Sequence, residues 1–321
     1  MGLNLIDKKL LYKLDQNCRT SLSQIGKELR IHRNVVIYRL KKLEENGVIK
    51  GYFSEIDLNQ LGYIIFRIFI RLGNYNKEEE DRLLKHLRNT PQLMWLFQVQ
   101  GKWDLDIVFA AQSISEFDIF LTELFSKFNK IIEDKTISIV SQIIHYPKDY
   151  LISKKREKIF TKEFAKRLQR IDEIDKKILL IISSKANIPF VDLAKNAGIS
   201  INTLKERLKN LEKEKIILGY RPFIDTEKTG YQYYKIILFL RNYTPEDFSS
   251  LRYFFERNEK LVYITRYING VDIEAEMHLE NEKELLEVKD NLIEEFGDKI
   301  KEIVILKFYK EHIYRYLPKT L

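Results

Sequence analysis

The chain has 321 residues, of which 45% are hydrophobic and 32% charged, and its net charge is +8. These values indicate a soluble globular protein of about two domains, and they exclude a fibrous or disordered chain. A single cysteine, Cys18, excludes an intrachain disulfide and fits the cytoplasm, where we expect the protein and where this residue is a small buried side chain. The most hydrophobic run, Ile64–Leu72, contains two arginines and is too short to span a membrane, so we expect no membrane partner.

The positive charge is concentrated in particular stretches. Residues 3–52 contain eleven basic and five acidic residues, a net charge of +6, and residues 150–170 contain eight and two, again +6. Residues 171–220 contain nine basic and seven acidic residues, a net charge of +2, so the rest of the chain is acidic overall. This segregation is the electrostatic footprint expected of a protein that binds a polyanion.

Three helices are predicted at the start of the chain. The first runs from Asp7 to Asn17, with its leucines on the buried side. The second runs from Leu22 to about Leu29 behind a capping box, in which the Ser21 hydroxyl accepts a backbone N–H and Gln24 reaches back to the cap. The third spans His32 to Glu45, and its spacing relative to the second is typical of a helix-turn-helix.

The third helix is amphipathic, with Val36, Leu40 and Leu43 in one apolar stripe. Its outward face and flanks carry a polar and basic set, namely Arg33, Asn34, Tyr38, Lys41 and Lys42. Such a face suits the DNA major groove, where Asn pairs with adenine and Lys or Arg binds guanine or phosphate. The alternative interpretation is a solvated basic face. Arg39 falls nearer the stripe, so we expect it to pack or form an ion pair.

The same unit occurs twice. Gly51-Tyr52 recurs as Gly219-Tyr220 and Gly62-Tyr63 as Gly230-Tyr231, each 168 positions later, which is far too long a period for a solenoid. The second recognition helix shows Asn202, Lys205 and Lys209, which we predict as DNA contacts, beside Glu206, which repels phosphate unless it accepts a bond from cytosine.

The two copies also differ at the turn between the helices. His32 stands where the second copy has Ser200, so we expect the first recognition helix to lack a good cap. The first turn also lacks the glycine that Gly198 supplies in the second copy. The second copy therefore has the better turn and the poorer DNA-reading face.

After each helix-turn-helix the pattern alternates strands with helices. In the first copy we predict strands at Ile64–Leu72, Leu93–Gln100, Leu105–Ala111 and Lys135–Ile144, with helices at Lys77–Asn89 and Ser115–Phe128, the latter capped by Ser115. In the second copy we predict strands near Tyr233–Arg241, Leu261–Ile268, Ile273–Leu279 and Ile300–Tyr309, with helices near Pro245–Asn258 and Glu282–Phe296. This βαββαβ order predicts an α+β protein with two winged helix-turn-helix domains and two ferredoxin-like domains in tandem.

One face of each ferredoxin-like sheet is left uncovered by helices. In the first copy we assign to this face an apolar set, Ile65, Phe69, Met94, Leu96 and Val108, so we expect it to pack on another sheet. Either the second half of the chain supplies that sheet, as an internal pseudo-dimer, or a second chain does. Arg67 and Asp106 share this face, as Lys235 and Glu274 do in the second copy, and they form either cross-strand ion pairs or ligand contacts.

The repeats divide the chain into five segments. We predict helix-turn-helix domains at residues 1–60 and 171–228, and ferredoxin-like domains at residues 61–150 and 229–321. Between them lies a basic linker at residues 151–170. Apolar residues recur at roughly helical intervals from Lys154 to Arg170, which predicts a helix that acts as a spacer or, alternatively, contacts phosphate.

The helix-turn-helix, followed by G-V-I-K-G-Y, D-L-N-Q-L-G-Y and a βαββαβ unit with a G-K-W-D turn, resembles the Lrp/AsnC family of transcription regulators. The resemblance implies that the amino-terminal unit binds DNA and that the ferredoxin-like domain dimerises and senses a small molecule, often an amino acid. It implies effector contacts at the turn formed by Gly101, Trp103 and Asp104, with counterparts at Gly270 and Asp272. The second turn is one residue shorter, so the two pockets need not bind the same effector.

The sequence therefore predicts a ligand-modulated, sequence-specific regulator of transcription that is not an enzyme. Its partners are double-stranded DNA and possible amino-acid-like effectors, and it is a homo-oligomer or an internal pseudo-dimer. The five histidines are scattered without ligand spacing and no phosphate-binding glycine loop occurs, so we expect no catalytic residue, metal or cofactor.

Two alternatives stay open. One is a tetrapyrrole-modifying enzyme, because siroheme decarboxylases resemble the same two-domain architecture. Such a site requires histidine or tyrosine in the sheet pocket, where His145 and Tyr146 are the local candidates, although a histidine there is otherwise a surface residue at a strand end. The other is an architectural chromatin protein that coats DNA without an effector.

Overall fold

The computed structural model describes residues 3–153, 159–163 and 168–321. The helices are α1 (Leu5–Gln16), α2 (Leu22–Leu29), α3 (Arg33–Glu45), α4 (Lys77–Asn89), α5 (Ile114–Phe128), α6 (Glu173–Ile182), α7 (Phe190–Ala197), α8 (Ile201–Lys213), α9 (Pro245–Glu256) and α10 (Glu282–Phe296). The strands are β1 (Ile49–Ile56), β2 (Ile64–Leu72), β3 (Leu93–Gln100), β4 (Leu105–Ala111), β5 (Ile132–His145), β6 (Phe160–Glu163), β7 (Ile217–Ile224), β8 (Gln232–Leu240), β9 (Leu261–Ile268), β10 (Ile273–Leu279) and β11 (Ile300–Tyr314). The fold class predicted from the sequence, two winged helix-turn-helix units and two ferredoxin-like units, is confirmed.

The helix caps of the first unit differ in part from the prediction. The Ser21 hydroxyl accepts the N–H of Gln24, as predicted, but the Gln24 side chain donates to Glu28 and does not return to the cap. The His32 ring nitrogen Nδ1 accepts the N–H of Asn34 at 3.2 Å, so α3 begins with a side-chain cap after all. An imidazole with a free lone pair therefore does here what a serine hydroxyl does in the second copy.

The two helix-turn-helix units are joined through their wings. Strands β1 and β7 pair antiparallel as a two-stranded sheet, with Ser54 opposite Tyr220. The Cys18 N–H, which follows α1, donates to the Tyr220 carbonyl at 2.9 Å, and in the other unit the Ala186 N–H donates to the Tyr52 carbonyl at 3.1 Å. Because each wing binds the first helix of the opposite unit, the two units hold a fixed mutual orientation.

The two ferredoxin-like units form one closed barrel. Eight strands follow the order β2, β4, β3, β11, β8, β10, β9 and β5, and β5 pairs with β2 to close the ring. The joints between the halves are the antiparallel pairs β3–β11 and β5–β9. The second half of the chain therefore supplies the sheet that covers the open face of the first. It does so by pairing at both edges, which removes exposed strand edges as well as burying apolar faces.

The four helices α4, α5, α9 and α10 cover the outside of the barrel. Leu96 lies in the core beneath α4 and α5, so its assignment to the open face was wrong. The cause is an irregularity in the β3–β4 register between Leu93 and Trp95, which shifts the alternation of β3. The cap of α5 is Ser113, whose hydroxyl accepts the N–H of Glu116, and not Ser115.

The helix predicted within the linker is wrong over residues 160–163. Residues Phe160–Glu163 form strand β6, which pairs antiparallel with the end of β5, although a helix was predicted there. Residues 154–158 and 164–167, which the same helix prediction included, lie outside the described residues. Within the described part of the chain, no helix combines the length and apolar character that crossing a bilayer requires.

Candidate nucleic-acid interface and the barrel cavity

The outward face of α3 is free in the structure. Val36 and Leu43 are buried, and Leu40 is half-buried, so the predicted apolar stripe packs on the unit's core. The five predicted DNA contacts are all exposed, namely Arg33, Asn34, Tyr38, Lys41 and Lys42. The Tyr38 side chain is 66% exposed.

The Arg39 side chain lies away from the exposed face of α3 and holds the helix in place. Its guanidinium donates to the Asp7 carboxylate of α1 at 2.8 Å, which confirms the predicted ion pair. In the second copy, Arg207 makes the same contact with Asp175 at 2.9 Å and adds Asp172 at 2.8 Å. Each recognition helix is therefore held against the first helix of its own unit by an arginine.

The recognition helix of the second unit, α8, presents a smaller basic face. Asn202, Lys205 and Lys209 are exposed as predicted, and so is Glu206. The Ser200 hydroxyl accepts the N–H of Thr203 and caps the helix. Glu206 occupies the position that Tyr38 holds in α3, so a carboxylate stands at the centre of this face.

The barrel interior contains a charge network that joins the two halves. Arg67 donates to Asp106 at 2.8 Å, and Lys235 lies 3.2 Å from Glu274, so the predicted ion pairs within each copy are present. Ion pairs also form between the two copies: Arg67 donates to Glu274 at 2.6 Å, and Lys235 donates to Asp106 at 2.6 Å. Burial acts to lower the pKa of the Arg67 guanidinium, but Asp106 and Glu274 outweigh it and raise that pKa.

The glycine turns predicted to bind an effector lie at the joints between the halves. Gly101 has φ +148°, and a Cβ there would lie 2.4 Å from the Ile305 carbonyl of β11. Gly270 has φ +70°, and a Cβ there would lie 2.4 Å from the Ser138 hydroxyl of β5. Only glycine allows the backbone to approach so closely in this conformation.

Three other residues of these turns are engaged by the protein itself. Trp103 is buried, and its ring lies 4.7 Å from that of Phe69 between centroids. Asp104 accepts the N–H of Leu72 at 2.7 Å. Its counterpart Asp272 accepts the N–H of Leu240 at the same distance.

A cavity of about 180 Å³ lies between the paired wings and one end of the barrel. Its walls are mainly aromatic and include Phe53, Phe97, Phe223, Tyr263, Phe308 and Tyr314. Sequence reasoning missed this cavity because its residues come from both wings and from several barrel strands of both repeats. The local signal was the unusual run of aromatic residues near the end of β11.

His145 lines this cavity and is buried, so the interpretation as a surface residue at a strand end was wrong. Its Nδ1 lies 2.6 Å from a carboxylate oxygen of Glu55, and its ring stacks on Tyr263 with 3.9 Å between centroids. Burial, together with the positive charge of Arg221, lowers the pKa of His145 to about 3. The Tyr146 hydroxyl donates to Glu256 at 2.6 Å.

A second buried network connects the barrel to the DNA-binding units. Arg221 of β7 donates to the Asp15 carboxylate of α1 at 2.7 Å, and the Lys148 ammonium lies 3.3 Å from the same carboxylate. Burial acts to raise the pKa of Asp15, but Arg221 and Lys148 outweigh it and hold that pKa well below its usual range. Ion pairs with Asp15 therefore connect helix α1 to the wing strand β7 and to the segment after β5. Asp15 had no distinguishing signal in the sequence.

The remaining titratable residues show no metal centre. Among residues 3–153, 159–163 and 168–321, no group of three or more histidine, cysteine, aspartate or glutamate side chains has an arrangement that could hold a metal ion. Cys18 is buried, and burial raises the pKa of its thiol to about 12, as expected of a structural rather than a reactive cysteine.

Comparison with protein families matches two kinds of domain. Residues 3–50 and 171–217 match a winged helix-turn-helix DNA-binding family. Residues 66–148 match the Lrp/AsnC ligand-binding domain. Sequence similarity alone therefore identifies both copies of the helix-turn-helix.

Among solved structures, the siroheme decarboxylase NirDL has the same overall fold, with a TM-score of 0.66. The alignment covers 98% of this chain and 96% of that one, at 14% identity, which shows a common fold alone.

Curated relatives include transcriptional regulators of archaea. The HTH-type transcriptional regulator Ptr1 of Methanocaldococcus jannaschii is 33% identical over 122 residues, which cover 38% of this chain and 80% of that protein. LrpA of Pyrococcus horikoshii is 48% identical over 61 residues, which cover 19% of this chain and 43% of that protein. The chain belongs to the Lrp/AsnC family of helix-turn-helix transcriptional regulators, and it carries two helix-turn-helix units in one polypeptide.

Proposed function

We propose that this protein is a sequence-specific regulator of transcription that binds double-stranded DNA through α3 and α8. The observation that carries the proposal is the exposed face of α3, where a polar and basic set stands on a helix whose opposite side is buried. The archaeal relatives named above are transcriptional regulators, which supports the same function.

Roles for the individual residues follow from their chemistry. Asn34 offers the donor and acceptor pair that reads adenine, and Arg33 the fork that reads guanine. Tyr38 lies one helical turn after Asn34 on the exposed face and contacts base edges or the sugar-phosphate backbone. Lys41 and Lys42, further along α3, neutralise phosphates, and Asn202, Lys205 and Lys209 contact DNA from α8.

The paired wings support simultaneous binding by both helices. Because β1 and β7 form one sheet and each wing binds the opposite unit, the two helices are presented as a rigid pair. A rigid pair loses less entropy on binding than two tethered heads. One chain therefore acts as other helix-turn-helix proteins act as dimers.

A small, amino-acid-like effector at the glycine turns completes the proposal. The Lrp/AsnC ligand-binding match spans the first turn, and Gly101 and Gly270 remain at the surface. Since Trp103, Asp104 and Asp272 are held by internal contacts, the effector binds the backbone of each turn, and a shift of these side chains transmits its effect. Calorimetry with the twenty amino acids tests this step, and heats no larger than those of dilution would remove it.

We also propose that the protein is not a tetrapyrrole-modifying enzyme. The aromatic cavity that His145 lines holds only about 180 Å³, and the described residues that line the adjoining hollow of about 490 Å³ include no histidine. The Nδ1 atom of His145, the candidate general base, is bound to Glu55. A change in the Soret absorption of siroheme on addition of the protein would contradict this proposal.

The main experiment is selection of binding sites from a randomised duplex library, followed by a salt titration with the selected sequence. Counterion release predicts that log K falls linearly with log salt, with a slope of about −0.9 per phosphate contacted. Recovery of no preferred sequence, with equal binding to all fragments, would contradict sequence-specific regulation. It would favour an architectural role instead.

A further inference from the structure

Strand β6 occupies a place in the first half of the barrel that has an empty counterpart in the second half. Its residues Phe160–Glu163 pair antiparallel with β5 from His145 back to Gln142. The matching segment of β11, 168 positions later, is Lys310–Ile313. Its one edge pairs with β3, but no strand among the described residues pairs with its other edge. That edge offers unpaired backbone groups to an incoming strand.

The place where the Phe160 ring lies is also empty in the second half. Phe160 packs against Gly219 so closely that a Cβ on this glycine would lie 2.6 Å from the ring. The counterpart of Gly219 is Gly51, and a Cβ there would have no atom of the described chain within 4 Å. At equivalent positions of the two wings, the site beside Gly219 is therefore filled by the Phe160 ring, and the site beside Gly51 is open.

The open site is bounded by an aromatic wall. The 180 Å³ cavity and an adjoining hollow of about 490 Å³ share the lining residues Lys50, Phe53, Phe223, Tyr314 and Tyr316. Gly51 borders the hollow, and Lys310 and Glu311 of the free β11 edge border the cavity. An extended segment paired with β11 would therefore project alternate side chains towards this aromatic wall.

We propose that this edge of β11 binds an extended peptide segment of a partner protein, which adds as an antiparallel strand and places an aromatic side chain beside Gly51. Recognition of this kind combines main-chain hydrogen bonds for affinity with side-chain pockets for specificity. The chain shows the binding mode itself, because β6 makes the same addition to β5.

The residue two positions after the aromatic one is basic. In the first half Lys162 holds this position, opposite Ile143 in the ladder, and its ammonium binds the Glu55 carboxylate. In the second half the counterpart of Ile143 is Glu311. The carboxylate that would face a basic peptide residue is therefore on the barrel strand β11, whereas in the first half it is on the wing. The Glu311 carboxylate lies 3.8 Å from the Lys50 ammonium, and burial raises the pKa of Glu311. A lysine or arginine of the peptide would pair with it across the strands.

The test uses the full chain and the peptide Ile-Phe-Thr-Lys-Glu, the sequence of residues 159–163, with fluorescein on its N-terminal amine, an amidated C-terminus and a free lysine side chain. Binding is followed by fluorescence anisotropy. We expect saturable binding that weakens about tenfold or more when the peptide phenylalanine is replaced by alanine, because a buried aromatic ring is lost. Replacing the peptide lysine by glutamate also weakens binding, since it opposes Glu311.

Two variants of one glycine provide matched controls. A Cβ at Gly51 meets no described atom within 4 Å, so Gly51→Trp should place its ring in the open site and abolish peptide binding, whereas Gly51→Ala should leave room and retain it. Circular dichroism and thermal melting check that both variants fold. The readout involves no DNA, so it stands or falls separately from the proposed regulatory function.

Several results would overturn the proposal. They are the absence of peptide binding at millimolar concentration, equal binding by the Gly51→Trp variant, or equal affinity for N-acetylphenylalanine amide, which lacks a strand. Dimerisation of the protein that Gly51→Trp abolishes would identify a second copy as the occupant, and would likewise overturn the partner assignment.

Discussion

The Arg67 guanidinium lies 2.6 Å from the Glu274 carboxylate, although 207 positions separate the two residues. This bond crosses the barrel between the two copies, and both side chains are buried. It shows that the two halves share one polar interior, in which ion pairs within each half are joined by pairs between the halves.

Replacing Arg67 by leucine should strongly destabilise the fold. The change leaves Asp106 and Glu274 with one fewer cation in a buried site, which costs about 3–5 kcal/mol. Urea denaturation measures the free energy of unfolding. Arg71→Leu is the matched control on the same strand, because its ion pair with Glu133 is exposed and contributes less than about 1 kcal/mol. Equal losses in both variants would contradict the role assigned to the network.

Asn34 and Lys42 should affect DNA binding in different ways. Asn34→Ala removes a base contact, so it should relax preference at one position of the site and cost about 1–3 kcal/mol on the selected sequence. Lys42→Ala removes a phosphate contact, so it should weaken binding to all sequences alike and lower the salt slope by about one. Competition assays with single-base variants of the site separate the two. Lys85→Ala, an exposed residue of α4, should change neither quantity.

Tyr38 and Glu206 occupy equivalent positions of α3 and α8. Placing each residue type at the other position should change the affinity for DNA in opposite directions. Tyr38→Glu places a carboxylate on the DNA-facing side of α3 and should weaken binding, whereas Glu206→Tyr removes one from α8 and should strengthen it. Each change is expected to be about fivefold, or ~1 kcal/mol, at low salt. Filter binding at two salt concentrations measures both. An unchanged affinity in Glu206→Tyr would indicate that α8 does not contact DNA.

His145 should make stability depend on pH in the mildly acidic range. Its pKa is about 3 in the folded protein and about 6.5 when unfolded, so the unfolded state binds a proton first as pH falls. The neutral ring therefore contributes full stability above about pH 6.5. That contribution is lost by about 1.4 kcal/mol per pH unit between pH 6.5 and 3.

The variant His145→Gln keeps a donor for Glu55 and should lower the slope of this part of the stability curve by about 1.4 kcal/mol per pH unit, whereas the buried His278, whose pKa burial also lowers, keeps its own contribution. His86→Gln, on the outer helix α4, should leave most of the slope in place. Chemical denaturation between pH 7 and 4 provides the measurement. An unchanged slope in His145→Gln would contradict the burial-driven shift.

Gly219 and Gly51 should respond differently to a larger side chain. Gly219→Leu forces the Phe160 ring away and should cost about 1–3 kcal/mol through overpacking, whereas Gly51→Leu meets open space and should cost little. Thermal melting of the two variants compares equivalent positions in one chain. Equal melting temperatures would show that β6 is not packed on the second wing as described.

Part of this structure was predictable because it depends on local patterns. The third helix, its buried Val36 and Leu43, and its exposed Asn34 and Tyr38 follow from helical periodicity. Most barrel strands begin and end within a few residues of the prediction, because apolar alternation and turn residues bound them. The 168-residue offset then placed Arg67 and Lys235 at equivalent positions before any contact was known.

The sequence alone therefore determined most of the elements and the exposed helix face, which are encoded by neighbouring residues, and it showed the duplication through matching motifs. Only the tertiary structure decided that the two sheets close edge to edge, that β6 is a strand, and that His145 meets Glu55. The physical reason is that strand edges pair through backbone groups that every residue carries, so the choice of partner edge is not written in local sequence. It is decided by the packing of the whole barrel, in which residues far apart in sequence, such as Arg67 and Glu274, are buried together.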